Sequence, residues 1–186
     1  MYSKEQYNKE IAPKLKEVLK AKTSSALPQL KKITINAGIG AMANNNKKIV
    51  DEAVNNIALI AGQKPVVKKA KKAISNFKLR ENMPVGVSVT LRGQRMYDFF
   101  GKFIDITCPR IRDFRGFSLK SFDGKGNYSI GLKEHTVFPE INPDDLVTVH
   151  GLQINIETTA GNDQDAIELF NLYKFPFRET TEAKKN

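Results

Sequence analysis

The sequence predicts an α+β fold: a single, mainly antiparallel sheet of about five strands, with helices packed on one side and a polar face left open. Three observations lead there. Segments with period-two alternation, 31–37 and 85–92 most clearly, put apolar residues on one side and polar residues on the other. Segments with helical spacing separate them, in the order α-β-α-β-β-α-β-β-α. Hydrophobic residues make up 40% of 186 positions, enough for one core.

Tyr7, Ile11, Leu15, Val18 and Leu19 recur at helical spacing, predicting a helix over 4–22 that Pro13 disturbs. In 31–37, Ile33 and Ile35 share one strand face, Thr34 and Asn36 the other. Asn44, Asn45 and Asn46 offer an N-cap to a helix that stops at Gly62. Pro65 to Val67 is a short strand, and Lys68 to Asn82 a basic stretch with little periodicity. Val85, Val87, Val89 and Leu91 alternate with Ser88, Thr90 and Arg92. Met96, Phe99, Phe100, Phe103 and Ile104 form an amphipathic helix expected to end before Pro109. Residues 110–127 read as an ordered loop, and 128–133 and 152–159 as strands. Asp163 is the expected cap of a last helix. With no internal repeat or low-complexity linker, 1–186 is expected to be one domain: an N-terminal helical extension (1–27), a core (28–178) and a flexible tail (179–186).

Charge is unevenly spread. Residues 62–136 hold sixteen Lys/Arg against six Asp/Glu, whereas 137–186 hold four against nine. The net charge of +10 favours a polyanionic partner, and the middle of the chain carries its footprint. No apolar run approaches the roughly 20 residues of a membrane span, so no membrane role is expected. A lone cysteine, Cys108, excludes an intrachain disulfide and fits a reducing compartment.

Chemistry has little support. Cys108 with His135 or His150 could make a nucleophile, but a small residue before Pro109 at the end of an apolar helix is expected to be buried. One Cys and two His lack metal-ligand spacing. Gly38-Ile39-Gly40 follows a strand as a dinucleotide loop would, yet Ala43 stands at the third glycine position and a tight turn explains the pair. No cofactor and no small-molecule substrate are expected.

Binding has more. Lys68, Lys69, Lys71 and Lys72 form the densest basic run, continued by Phe77, Lys78 and Arg80, and a projecting loop of this kind can reach phosphates. Arg110, Arg112 and Arg115 form a second cluster that either meets phosphates or pairs locally with Asp113 and Asp123. Asn36, Gln63, Thr90 and Arg92 offer donors and acceptors suited to 2′-hydroxyls and base edges.

Longer motifs resemble a known family. Gly62-Gln63-Lys64-Pro65-Val66-Val67, Lys69-Ala70-Lys71-Lys72-Ala73-Ile74, Phe77-Lys78-Leu79-Arg80 and Val89-Thr90-Leu91-Arg92-Gly93 occur in order. Arg95-Met96-Tyr97, Pro109-Arg110-Ile111-Arg112-Asp113-Phe114-Arg115-Gly116, Phe122-Asp123-Gly124-Lys125-Gly126-Asn127-Tyr128, Phe138-Pro139-Glu140-Ile141 and Thr158-Thr159-Ala160 continue the series. Across about 28–178 they resemble the bacterial-type 5S-rRNA-binding protein family of the large ribosomal subunit, large-subunit protein five. The resemblance implies a non-enzymatic ribosomal protein of the central protuberance. Its sheet would bind 5S rRNA through Asn36, Gln63, Thr90 and Arg92. A basic loop with Lys69, Lys71, Lys72, Lys78 and Arg80 would reach P-site tRNA, and Arg95, Arg110, Arg112 and Arg115 would add RNA contacts. Neighbouring large-subunit proteins and 23S-type rRNA would be further partners, on a cytoplasmic or organellar ribosome. His135, His150 and Cys108 depart from the family pattern, which has Gln, Arg and Leu there. The rival readings are a free regulatory RNA-binding module and an enzyme using Cys108.

Overall fold

The computed structural model describes residues 2–20, 23–43, 47–143, 146 and 148–178. The expected Asn44–Asn46 cap and the 179–186 tail lie outside them. Five strands form one sheet: β1 (Leu30–Gly38), β2 (Val66–Lys69), β3 (Pro84–Leu91), β4 (Tyr128–Leu132) and β5 (Leu152–Thr158). The sheet order is β2-β3-β1-β5-β4, with every pairing antiparallel. β2 and β4 are the edges. The longer helical segments are α1 (residues 4–18), α2 (Lys47–Ala61), α3 (residues 93–110) and α4 (Asp163–Leu172). No helix among the described residues is long and apolar enough to cross a membrane.

Alternation decides which side of the sheet the helices cover. Ile35 lies opposite Val89 and Ile154, and Ile33 opposite Leu91 and Ile156. All are buried, together with Tyr128, Ile130 and Leu132 of β4. Against this face pack Ile57 and Ile60 of α2, Phe99, Phe100 and Phe103 of α3, and Leu169 and Phe170 of α4, in one continuous core. Phe170 lies at the hub of an aromatic cluster, within 6.2 Å of the rings of Phe100, Phe122, Tyr128, Phe175 and Phe177.

Two helices contain a proline and solve the problem alike. In α1 a π turn, Tyr7–Ile11, comes just before Ala12 and Pro13. In α3 a π turn, Phe103–Thr107, comes just before Cys108 and Pro109. The Ala12 N–H donates to the Tyr7 carbonyl and the Cys108 N–H to the Phe103 carbonyl, one residue further back than in an α-helix. The widened turn steps the hydrogen-bond ladder to i→i−5 immediately before the ring, which has no N–H to donate. Hence the third helix does not stop before Pro109 but runs on through Arg110. Helix α1 is shorter than its apolar pattern, ending at Val18, which is exposed.

Helix α2 stops at Gly62, whose φ of 63° is the left-handed conformation that glycine adopts without strain. Lys102 of α3 ties that end down, donating to the Ile60 carbonyl at 2.6 Å and pairing with Glu140. The α4 cap differs from expectation. Asn162 is the N-cap, its side chain accepting from the Asp165 N–H at 2.8 Å. Asp163 instead accepts from the N–H groups of Gly124 and Gly126, at 3.1 and 2.8 Å, pinning the loop before β4.

The β4–β5 connection is closed by two histidines. The His135 and His150 rings stack with centroids 4.0 Å apart and planes 7° from parallel. The His135 N–H donates to the His150 carbonyl at 3.2 Å, and both residues are buried. His135 Nε2 lies 3.4 Å from the Asn56 amide of α2. Burial lowers both pKa values, and proximity to His135 lowers that of His150 further. Unfolded histidines charge near pH 6.5, so between that value and the lower folded ones the unfolded chain binds more protons. Stability is therefore full above about pH 6.5 and falls as pH drops below it, by about 1.4 kcal/mol per pH unit for each histidine that charges only on unfolding. Asp123 and Glu157 have lowered pKa values, so their contribution is kept until the pH nears the unfolded carboxylate range, about 4. Urea titrations between pH 7.5 and 5 should show this loss, and His135→Gln should roughly halve its slope.

Candidate nucleic-acid interface

Polar side chains on the uncovered side of the sheet fall into cross-strand rows. Asn36 lies between Ser88 of β3 and Gln153 of β5. Thr34 lies between Thr90 and Asn155, and Asn155 lies opposite Ser129 of β4. These residues are half-buried or exposed, whereas their chain neighbours Ile35, Val89 and Ile154 are buried. Amides and hydroxyls spaced about 4.8 Å apart across strands make a regular array of donors and acceptors.

The array is framed by charge at its β1–β5 end. The β1 register shifts between Leu30 and Lys32. That irregularity lets Lys31 and Lys32 both reach Glu157, at 2.8 and 2.7 Å. The bond from Lys31, then that from Lys32, holds the Glu157 carboxyl below the usual range. The acidic group on this part of the sheet is thus matched by two cations.

Three of the four residues read as a polar set converge at the β3 side. Gln63, in the turn between α2 and β2, donates from Nε2 to the Thr90 carbonyl at 3.4 Å. Its Oε1 accepts from Arg95 of α3 at 3.4 Å. Arg92, directly after β3, is exposed at the start of α3. Asn36 is one strand away, in the adjacent row. Arg95 therefore joins the Gln63–Thr90 group, while Arg110, Arg112 and Arg115 do not. These three line an open cleft of about 780 Å³ beside Lys133 and Arg178, at the β4 edge. Among the described residues, no ion pair links them to Asp113 or Asp123. Asp123 instead accepts from the Asn127 side chain and from the N–H groups of Lys125 and Asn127.

The basic stretch 68–82 is more ordered than its sequence suggests. It prolongs β2 and β3 as a hairpin, with Ala70 N–H donating to the Met83 carbonyl at 2.8 Å and Asn82 N–H to the Ala70 carbonyl at 3.0 Å. Ile74 and Leu79 exchange N–H···O bonds of 3.0 and 3.1 Å nearer the tip. Lys69, Lys71, Lys72, Lys78 and Arg80 are all exposed. This hairpin leaves from the β2 side, and the arginine cleft lies at β4, the opposite edge. Four strand spacings, about 19 Å, separate those edges across the polar rows.

Gln153, Asn155 and Ser129 belong to the same face but were not singled out from sequence, and Ser88 was read on the polar side of its strand without being assigned a role. The β5 alternation, Gln153 and Asn155 between Ile154 and Ile156, held the signal for two of them.

Cys108 is buried, and burial pushes its thiol up to about 12, so the thiolate is disfavoured. Geometry of this kind suits a protein that holds a partner rather than one that transforms a substrate. Residues 25–80 match the family model described as ribosomal protein L5, and residues 84–177 match the model of that ribosomal family's C-terminus. The chain belongs to the ribosomal protein L5 family, a non-enzymatic family of the large ribosomal subunit. It is 54% identical over 175 residues to the large ribosomal subunit protein uL5 of Desulforapulum autotrophicum, covering 94% of this chain and 97% of that one. Identity is 50% to the uL5 of Halothermothrix orenii, over the same shares of each chain. It is 51% to that of Cupriavidus necator, over 92% of this chain and 95% of the relative. A structural role on the ribosome follows from this membership.

The buried thiol gives a direct check. At pH 8 a thiol reagent should leave Cys108 unmodified in the folded protein and label it stoichiometrically in denaturant. Rapid labelling without denaturant would contradict the packing of α3.

Proposed function

We propose that the open sheet face binds 5S rRNA in the central protuberance, with Asn36, Gln63, Thr90 and Arg92 as its centre and Arg95 in support. The observation that carries this is the cross-strand array of polar side chains on a sheet whose other face is closed by helices. Such a surface offers hydrogen bonds at fixed spacing without exposing core, as recognition of 2′-hydroxyls and base edges requires. The basic hairpin, through Lys69, Lys71, Lys72, Lys78 and Arg80, contacts P-site tRNA. The arginine cleft, with Arg110, Arg112 and Arg115, is a further contact for RNA. The setting is a cytoplasmic ribosome, with 23S-type rRNA and neighbouring proteins as additional partners. We also propose that 28–178 folds as one domain, since β1 is held by β3 and β5 together.

Purified protein titrated with 5S rRNA and with a length-matched unrelated RNA, over a salt series, tests the first reading. A preference for 5S rRNA that persists at physiological salt is expected. Equal and steeply salt-dependent binding to both RNAs would reduce the interaction to counterion release.

Two variant sets separate the surfaces. Gln63→Ala with Thr90→Ala should weaken 5S rRNA binding about tenfold, the worth of one or two hydrogen bonds, with an unchanged circular dichroism spectrum. Neutral substitutions at Lys71, Lys72, Lys78 and Arg80 should leave 5S binding intact and weaken P-site tRNA retention on reconstituted ribosomes. Equal loss of both activities would place the hairpin within the 5S footprint.

A further inference from the structure

The hairpin tip carries a feature that charge does not explain. Phe77 is 70% exposed, the most open of the large hydrophobic residues described, and Ile74 beside it is 44% exposed. Every other described aromatic residue is buried or half-buried. An aromatic ring at the end of a floppy loop would fold back onto apolar neighbours, but this ring is held away from them. Ser75–Phe77 forms a 3-10 turn, closed by the Lys78 N–H donating to the Ser75 carbonyl at 2.9 Å. Lys78 follows in the left-handed conformation, φ 52°, and the paired Ile74–Leu79 bonds clamp the base of the turn. The same hairpin carries Lys71, Lys72, Lys78 and Arg80, all exposed, with Glu81 the one acidic residue between 68 and 82.

We infer that Phe77 is a stacking platform for an unstacked RNA base, with the cations of the same hairpin holding the adjoining phosphates. The inference rests on the hairpin being an RNA-contacting element, as proposed above, and adds what it recognises: an exposed base in a loop or bend rather than a continuous duplex. An exposed aromatic face on a hairpin rich in cations matches the two parts of a nucleotide, a flat apolar base and an anionic backbone. A cationic surface for acidic protein would have no use for a planar ring presented open to solvent.

Stacking and phosphate contacts leave different signatures. Removing a ring costs a constant factor at all salt concentrations, whereas removing a cation flattens the salt dependence. The full chain should be titrated with a stem-loop RNA carrying unpaired purines and with the same stem as a blunt duplex. Phe77→Ala should weaken stem-loop binding by a factor of about 5 to 150, with the salt slope unchanged. Duplex and 5S rRNA binding should not move. The sequence contains no tryptophan, so Phe77→Trp installs a single indole reporter. Its fluorescence should be quenched by the stem-loop and not by the duplex.

If Phe77→Ala has no effect while neutral substitutions at Lys71, Lys72, Lys78 and Arg80 reduce binding, the hairpin contacts RNA through charge alone and the stacking inference fails. Equal quenching of the Trp variant by stem-loop and duplex also overturns it. If neither set of substitutions changes RNA binding, the reading of the hairpin as an RNA contact fails as well.

Discussion

Strand β1 is the constraint on which the rest of the structure depends. It comes first among the strands yet sits in the middle of the sheet, with β3 on one side and β5 on the other. Its own alternation assigns Ile33, Ile35 and Ala37 to the core and Thr34 and Asn36 to the open side. Because side chains repeat every two residues, a slip of one position would send isoleucines outward and the polar array inward. The register with β3 and β5 therefore fixes both the core and the functional surface. Those partners lie far along the chain, so the surface is complete only when long-range pairing is. Two family models that meet between 80 and 84 thus describe halves joined by one sheet.

The strands were legible because half-burial writes itself into sequence as strict alternation, and β1, β3 and β5 are half-buried along most of their length. What sequence concealed was how helices treat proline. Pro109 reads as a stop, since the ring removes a donor and crowds the preceding residue. The π turns before Pro13 and Pro109 shift the hydrogen-bond ladder by one carbonyl, a geometry that leaves no mark in hydrophobic spacing. The same limit applied at α4, where Asn162 and Asp163 are both good caps and only the position of Gly124 and Gly126 decides which one serves.

For the site, residue chemistry could be read but proximity could not. Asn36, Thr90 and Arg92 were placed by strand alternation alone. That Gln63 reaches the Thr90 carbonyl, and that Arg95 reaches Gln63, depends on how the α2–β2 turn meets the start of α3. The separation of the arginine cleft from the basic hairpin was likewise invisible. Both are Arg/Lys clusters in the same stretch of chain, and only the sheet order places them at opposite edges. The hairpin itself looked irregular because its exposed strands bury nothing and so show no apolar period, while its backbone bonds are regular.

The edge strand β2 carries a last consequence. Outer strands leave backbone donors and acceptors unpaired, which invites pairing with another copy. Here Lys68 and Lys69 are exposed on that edge and the hairpin adds further cations, so two copies meeting β2 to β2 would align like charges within a Debye length of about 8 Å. The free chain thereby resists self-association through this edge. That protection is conditional: a polyanion neutralising these lysines cancels the repulsion at the same moment that it covers the edge.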